Sequence, residues 1–180
     1  MVVKLLRQNR IASGILAVIR LYLGYTWLTA GLHKLLSGGF DASGILKNAI
    51  AHPVKGPDGS VVFGPYVSFL KQVALPNVDF FNNIIPIGEF LVGLGLILGC
   101  LTTAAMFFGL LMNFSYLMAG TISSNPIDIL LGGIILFAGF NAGKLGLDRW
   151  VIPFLLDLLP KDNQKLELIQ LEHDQPKHNF

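Results

Sequence analysis

Residues 11–36, IASGILAVIRLYLGYTWLTAGLHKLL, decide the fold. The run exceeds the roughly 20 apolar residues that span a bilayer as a helix. Arg20 is its one charge until Lys34, near the end. A second run, FFNNIIPIGEFLVGLGLILGCL at 80–101, carries Glu89 near its middle. A lone charge at the bilayer centre costs about 2.5–3.5 kcal/mol on insertion scales. Opposite charges buried side by side offset one another. The expectation is that Arg20 and Glu89 meet inside a helical membrane protein, at a polar centre where function lies.

The rest of the chain agrees with a membrane reading. Of 180 residues, 53% are hydrophobic and 13% charged, with mean hydropathy +0.62. A soluble domain carries about 25% charge. Two further apolar runs, 104–119 and 127–142, bring the expected spans to four. The fold is then all-α, a polytopic four-helix bundle forming one domain over residues 1–180. The first run is too long for the apolar core of a signal peptide and lacks a small-residue cleavage site. Net charge is +2, which argues against nucleic acid as a partner. Cys100 stands alone, so no internal disulfide or CxxC pair is possible.

Basic residues set the orientation. Lys4, Arg7 and Arg10 precede the first span, and Lys144, Arg149, Lys161 and Lys165 follow the fourth. Both termini are therefore expected in the cytoplasm, with 37–79 outside and the amphipathic segment and tail of 145–180 inside. A connection as long as 37–79 needs structure of its own. Asp41–Ile50 reads as a helix capped by Asp41 or Ser43. Pro65–Ala74 reads as another, presenting Tyr66, Phe69 and Leu70 on one face. The segment is expected to lie on the outer surface as a cap, the alternative being a mobile loop.

Helical spacing gathers small and polar residues into stripes. Arg20, Gly24, Trp27, Gly31 and Lys34 share one face of the first span. Asn82, Pro86, Glu89, Gly93 and Cys100 share one on the second. Asn113 and Tyr116 fall on that of the third, and Asp128 and Gly132 on that of the fourth. Small residues let membrane helices approach, and polar ones bond across the contact. At 1.5 Å per residue, Arg20 lies about 13 Å, and Glu89 and Asn113 about 16 Å, from the cytoplasmic edge. Lys34, His33, Asn125 and Asp128 form a second polar layer near the outer surface.

Each of these residues has a structural and a functional reading. Arg20 and Glu89 are either an ion pair fixing helix register, or the wall of a ligand pocket. In the pocket, Arg20 donates to an oxygen and Glu89 accepts or relays a proton. Asn113 and Tyr116 are interhelical glue or contacts to a ligand head group. Trp27 belongs to an aromatic belt or to the wall of a ring-binding pocket. Lys34 with Asp128 is an outer salt bridge or a site entrance, with Asn125 beside it. Cys100 reads as a small packing residue. His33 lacks a companion at ligand spacing, and no metal is expected.

Five stretches, taken in order, resemble the DoxX family of small four-helix membrane proteins. They are RLYLGYTWLTAGLHKL at 20–35, GEFLVGLGLILG at 88–99, NFSYLMAG at 113–120, Ser124-Asn125-Pro126, and NAGKLGLDRW at 141–150. The chain looks most similar to the DoxD-like branch associated with thiosulfate:quinone oxidoreductase. The resemblance implies a bacterial plasma-membrane protein linked to sulfur or thiol redox chemistry and to membrane quinone, menaquinone or ubiquinone. It also implies that the sulfur chemistry sits on an extracytoplasmic partner subunit, which fits a chain whose one cysteine is Cys100. No histidine lies within a span except His33 at an edge, so no haem is expected. The resulting expectation is a quinone-linked redox subunit in contact with lipid, with homo-oligomers possible. Glu89 and Arg20 would be catalytic, with Asn113, Tyr116, Trp27, Lys34, Asp128 and Asn125 binding ligand. The alternatives are a non-enzymatic anchor or assembly protein, and a small carrier.

Overall fold

A computed structural model describes residues 2–158. The polar tail expected beyond Leu159, with Lys161, Lys165, His173 and His178, lies outside the described residues. Among those described, the chain is all-helical: nine α-helices, one π-helical turn and no strand.

A short α1 (Val2–Gln8) leads into α2 (Arg10–Leu36). Asn9 starts α2 by accepting from Ile11 N at 2.7 Å and Ala12 N at 3.2 Å, the N-cap bonds that the first turn needs. The α1–α2 corner is tied down from a distance. Asn141 Nδ2 donates to the carbonyls of Leu6 (2.7 Å) and Asn9 (3.2 Å). The second apolar run forms α5 (Val78–Leu98) and stops at Gly99, whose left-handed backbone (φ 62°) closes the helix. The third forms α6 (Thr102–Met118).

The fourth run departs from the expected 127–142. It gives α7 (Asn125–Ala138), entered through Pro126, then a break at Gly139 (φ 58°, ψ −132°) and one more turn, α8 (Phe140–Gly143). Composition alone could not mark that break, because glycine at 139 also fits the small-residue stripe. The amphipathic segment forms α9 (Asp148–Asp157).

Helices α2, α5, α6 and α7 pack around one core containing Leu16, Leu23, Trp27, Leu96, Met106 and Ile135. The α2–α5 contact is the most extensive, and glycine makes it possible. A Cβ on Gly31 would lie 2.5 Å from Phe90 N and 3.0 Å from the Pro86 carbonyl oxygen; one on Gly93 would overlap the Leu28 backbone. The outward faces are apolar, with Ile15, Val18, Leu91, Phe107, Leu130 and Phe137 all exposed. Helices α2 and α5 are long and apolar enough to cross a membrane, while α6 and α7 are shorter apolar helices.

The segment between α2 and α5 folds into a cap with its own small core. It comprises α3 (Ser43–Ala51), α4 (Gly64–Phe69) and the π turn Leu70–Ala74. Ala42, Leu46, Leu70 and Ala74 are buried there. Pro65 stands at the start of α4, where its missing N–H costs nothing. Asp41 accepts from Ser43 N at 2.8 Å, ahead of α3. Asn82 of α5 accepts from Ala42 N, also at 2.8 Å, and fastens the cap to the helices below.

Candidate functional site

The glycine contacts fix the antiparallel register of α2 against α5. Gly24 lies over Leu96 and Ile97, Gly31 over Pro86 and Phe90. Position 20 therefore falls at the far end of α5, away from the cap, and position 34 falls on the cap side of Glu89. The expected Arg20–Glu89 pair does not form. Arg20 Nη1 donates to the carbonyls of Leu96 (2.5 Å) and Ile97 (3.2 Å), in the last turn of α5. Leu96 O also accepts from the capping Gly99 N at 3.3 Å; carbonyls of a last turn lack the usual i+4 donors, and a cation there also complements the helix dipole. Seven residues, about 10 Å of helix, separate Leu96 from Glu89. The expected common layer of Arg20, Glu89 and Asn113 fails for Arg20. Counting from a shared membrane edge ignored the offset that the glycines impose.

The cation that meets Glu89 is Lys34. Helical side chains tilt toward the N-terminus of their helix, so Lys34 at the cap end of α2 points back into the protein. Its Nζ forms an ion pair with Glu89 Oε1. Tyr116 Oη, from α6, donates to the same oxygen at 2.8 Å. Glu89 is only 2% exposed. Its second oxygen, Oε2, is buried with no hydrogen-bond partner among the described residues. The Lys34 side chain is 27% exposed, and its Nζ sits 5.1 Å from the Phe40 ring centroid and 6.0 Å from that of Tyr116. A buried carboxylate thus takes two donors on one oxygen, and those donors separate it from what lies beyond.

Beyond them lies a groove of about 1030 Å³ between α5 and α6, running from under the cap toward Cys100. Lys34, Tyr116, Ser115 and Asn125 are among its polar lining residues. Phe40, Phe81, Leu94 and Phe108 are among its apolar ones. The polar groups gather near the cap, and the remainder is hydrocarbon and ring. Glu89, Arg20 and Trp27 do not line it.

The other predicted residues fall elsewhere. Lys34 and Asp128 do not form the expected salt bridge; Asp128 Oδ2 accepts instead from Oγ of Ser124, the residue just before α7, at 2.7 Å. Asn125 Nδ2 donates to the Thr121 carbonyl at 2.9 Å. Trp27 is buried in the core against Gly109 rather than placed in a surface belt. Asn113 is buried on α6, with Nδ2 unpartnered among the described residues. Cys100 is half-buried at the groove's far end.

Asp148 is a residue that sequence reasoning passed over. Buried at the start of α9, it accepts from Leu101 N (2.6 Å) and Thr102 N (3.0 Å), capping α6 from across the chain. Its own N–H donates to the Gly99 carbonyl at 2.6 Å, and its charge acts on Arg20. Arg20 and Asp148 together close the α5–α6 corner. An acid at the start of the amphipathic segment was the available signal, but nothing local named the helix it would cap. Nearby, Lys144 titrates below the ordinary lysine value, through burial and then the neighbouring charges of Arg10 and Arg149.

A family model described as DoxX matches residues 15–121. No curated protein matches the chain, and no solved structure does. The matched segment holds α5, α6, the cap and most of α2, hence Lys34, Glu89, Asn113 and Tyr116. Asp128 and Asp148 lie beyond it.

Proposed function

Since the chain belongs to the DoxX family, whose members are membrane proteins often linked to redox chemistry, we propose that it is a multi-pass membrane redox subunit serving a lipid-soluble quinone. In this reading α2, α5, α6 and α7 are a four-helix bundle in a bacterial plasma membrane. Both termini are cytoplasmic, as the basic residues flanking the outer helices indicate, and the cap faces outward. The electrons come from a sulfur compound or thiol handled by a partner protein at the cap, as in the DoxD-like branch. A lone Cys100, at the groove end remote from the cap, fits sulfur chemistry carried elsewhere.

The observation that carries the reading is the groove, apolar along its length, with the Lys34–Glu89–Tyr116 cluster at one end. Its apolar walls suit a ring with an isoprenoid tail, and its volume lies at the upper end for small-molecule sites. Lys34, whose ammonium has N–H groups beyond the one given to Glu89, is the donor that would hold a carbonyl oxygen, the part first assigned to Arg20, while the single O–H of Tyr116 stays on Glu89. A bound quinone supplies an acceptor for electrons and protons. Glu89 stands behind both side chains, and its free Oε2 is the atom that can hold a proton in the site. The Glu89 carboxylate itself is shielded, at 2% exposed.

The competing reading is a non-enzymatic anchor or assembly protein. It draws on Arg20, which closes a helix end and does not face the groove. The test is extraction in mild detergent or native lipid discs, followed by mass spectrometry of the bound small molecules. Quinone retained by the wild type and lost from a folded Lys34→Met/Tyr116→Phe variant supports the proposal. Phospholipid alone, unchanged by that variant, refutes it in favour of the anchor.

A further inference from the structure

We infer that the core of the protein holds a small cluster of bound water between Asp128 and Glu89, joining the buried carboxylate to the cap end of the molecule. Four buried side-chain atoms on four different helices carry the inference. Trp27 Nε1 on α2, Glu89 Oε2 on α5, Asn113 Nδ2 on α6 and Asp128 Oδ1 on α7 are all shielded from solvent and have no hydrogen-bond partner among the described residues. Leaving such a group unpaired costs about 1–3 kcal/mol, and more when it is charged. Four in one small core would be a heavy burden unless something bridges them.

Packing places them on the inward faces within about two helical turns, roughly 10 Å, of one another. The Trp27 ring lies against Gly109, its Cε2 3.7 Å from where a Cβ there would stand. Asn113 is one turn farther toward the cap on the same face of α6, and Tyr116, which bonds Glu89, is the next step. Gly132 of α7 meets Met106 and Leu110 of α6. Asp128, one turn toward the cap from Gly132, therefore stands level with Asn113. The set comprises two donors and two acceptors. Water can satisfy both kinds at once, typically through about three hydrogen bonds per molecule. A bare cation would be repelled by the two N–H groups, so the chemistry favours water.

Asp128 sits in the first turn of α7, near the cap end, beside the exposed Ser124. The cluster thus gives Glu89 Oε2 a route for protons from the cap side, separate from the groove that Lys34 and Tyr116 face. Only this last step rests on the proposed redox role.

X-ray radiolytic footprinting tests the water itself, because hydroxyl radicals made from bound water label adjacent side chains even in a protein core. The two tryptophans supply the comparison, Trp27 buried and Trp150 exposed. Trp27 should be oxidised at a rate comparable with Trp150 in the full chain in lipid discs. The rate should fall several-fold in Asp128→Leu and again in Asn113→Leu, with circular dichroism confirming that each variant is folded. Should one variant not fold, the other serves alone. A protected Trp27 in the wild type, or labelling unchanged by the folded variants, overturns the inference. Labelling that falls when sodium replaces choline assigns the space to a cation and overturns it equally. No quinone is needed, so failure of the proposed function leaves this measurement standing.

Discussion

Glu89 should be coupled energetically to Lys34 and not to Arg20. Replacing Lys34 with Met leaves a carboxylate 2% exposed, with Tyr116 as its one remaining donor among the described residues. Breaking a fully buried pair costs about 3–5 kcal/mol. The Lys34 side chain is 27% exposed, so solvent already weakens the pair, and a loss of about 2–3 kcal/mol is expected. In the background of Glu89→Gln, which removes the charge but keeps an acceptor for Tyr116, the same Lys34 change should cost far less. The coupling energy should be about 1–3 kcal/mol. Arg20→Met should also destabilise, by about 1.5–3 kcal/mol, since charged hydrogen bonds to two carbonyls are lost. Its effect should add to that of Glu89→Gln within about 0.5 kcal/mol, as for well-separated sites. Equilibrium unfolding in mixed micelles, followed by fluorescence of the buried Trp27, measures both cycles. Strong coupling between Arg20 and Glu89, or additivity of Lys34 and Glu89, would refute the register argued from the glycines.

Gly31→Ala should push α2 off α5 and cost about 1–3 kcal/mol in the same assay, because the new methyl meets backbone that cannot rotate away. Asp148→Ala should cost about 0.5–2 kcal/mol and speed hydrogen exchange at the Leu101 and Thr102 amides, which lose their acceptor. Burial raises the Tyr66 phenol above its ordinary value of 10.0, against a smaller opposing contribution from Ser115. A raised acid holds its proton more tightly in the folded cap, so its contribution is intact below pH 10 and declines as pH climbs through the folded value. Alkaline titration at 295 nm should show cap opening together with tyrosine ionisation, and Tyr66→Phe should remove that component.

Much of the architecture was legible in order along the chain. Apolar runs of helical length gave α2, α5 and α6 to within about three residues at each end, because length and composition are local properties. The cap helices were readable for the same reason: Pro65 stands at the start of one, and the other begins at Ser43, although its N-cap is Ala42 and not the expected Asp41 or Ser43. The stripes also named the buried faces, since Arg20, Glu89, Asn113 and Asp128 all prove buried. What spacing along a single helix could not supply was the axial offset between helices. That offset is set where glycines let two backbones touch, at Gly31 on Phe90 and Gly93 on Leu28.

The sequence by itself determined that two acids and an arginine would be buried among apolar helices, because hydrocarbon-length runs leave such groups only an interior to occupy. Only the tertiary structure decided who meets whom. Glycine contacts slide α2 along α5 until Lys34, not Arg20, reaches Glu89, and Arg20 is left to close a helix end beside Asp148. The physical reason is that a charge is buried by its own helix, whereas a pair depends on the register between two helices, which close backbone packing sets at a distance from either charge.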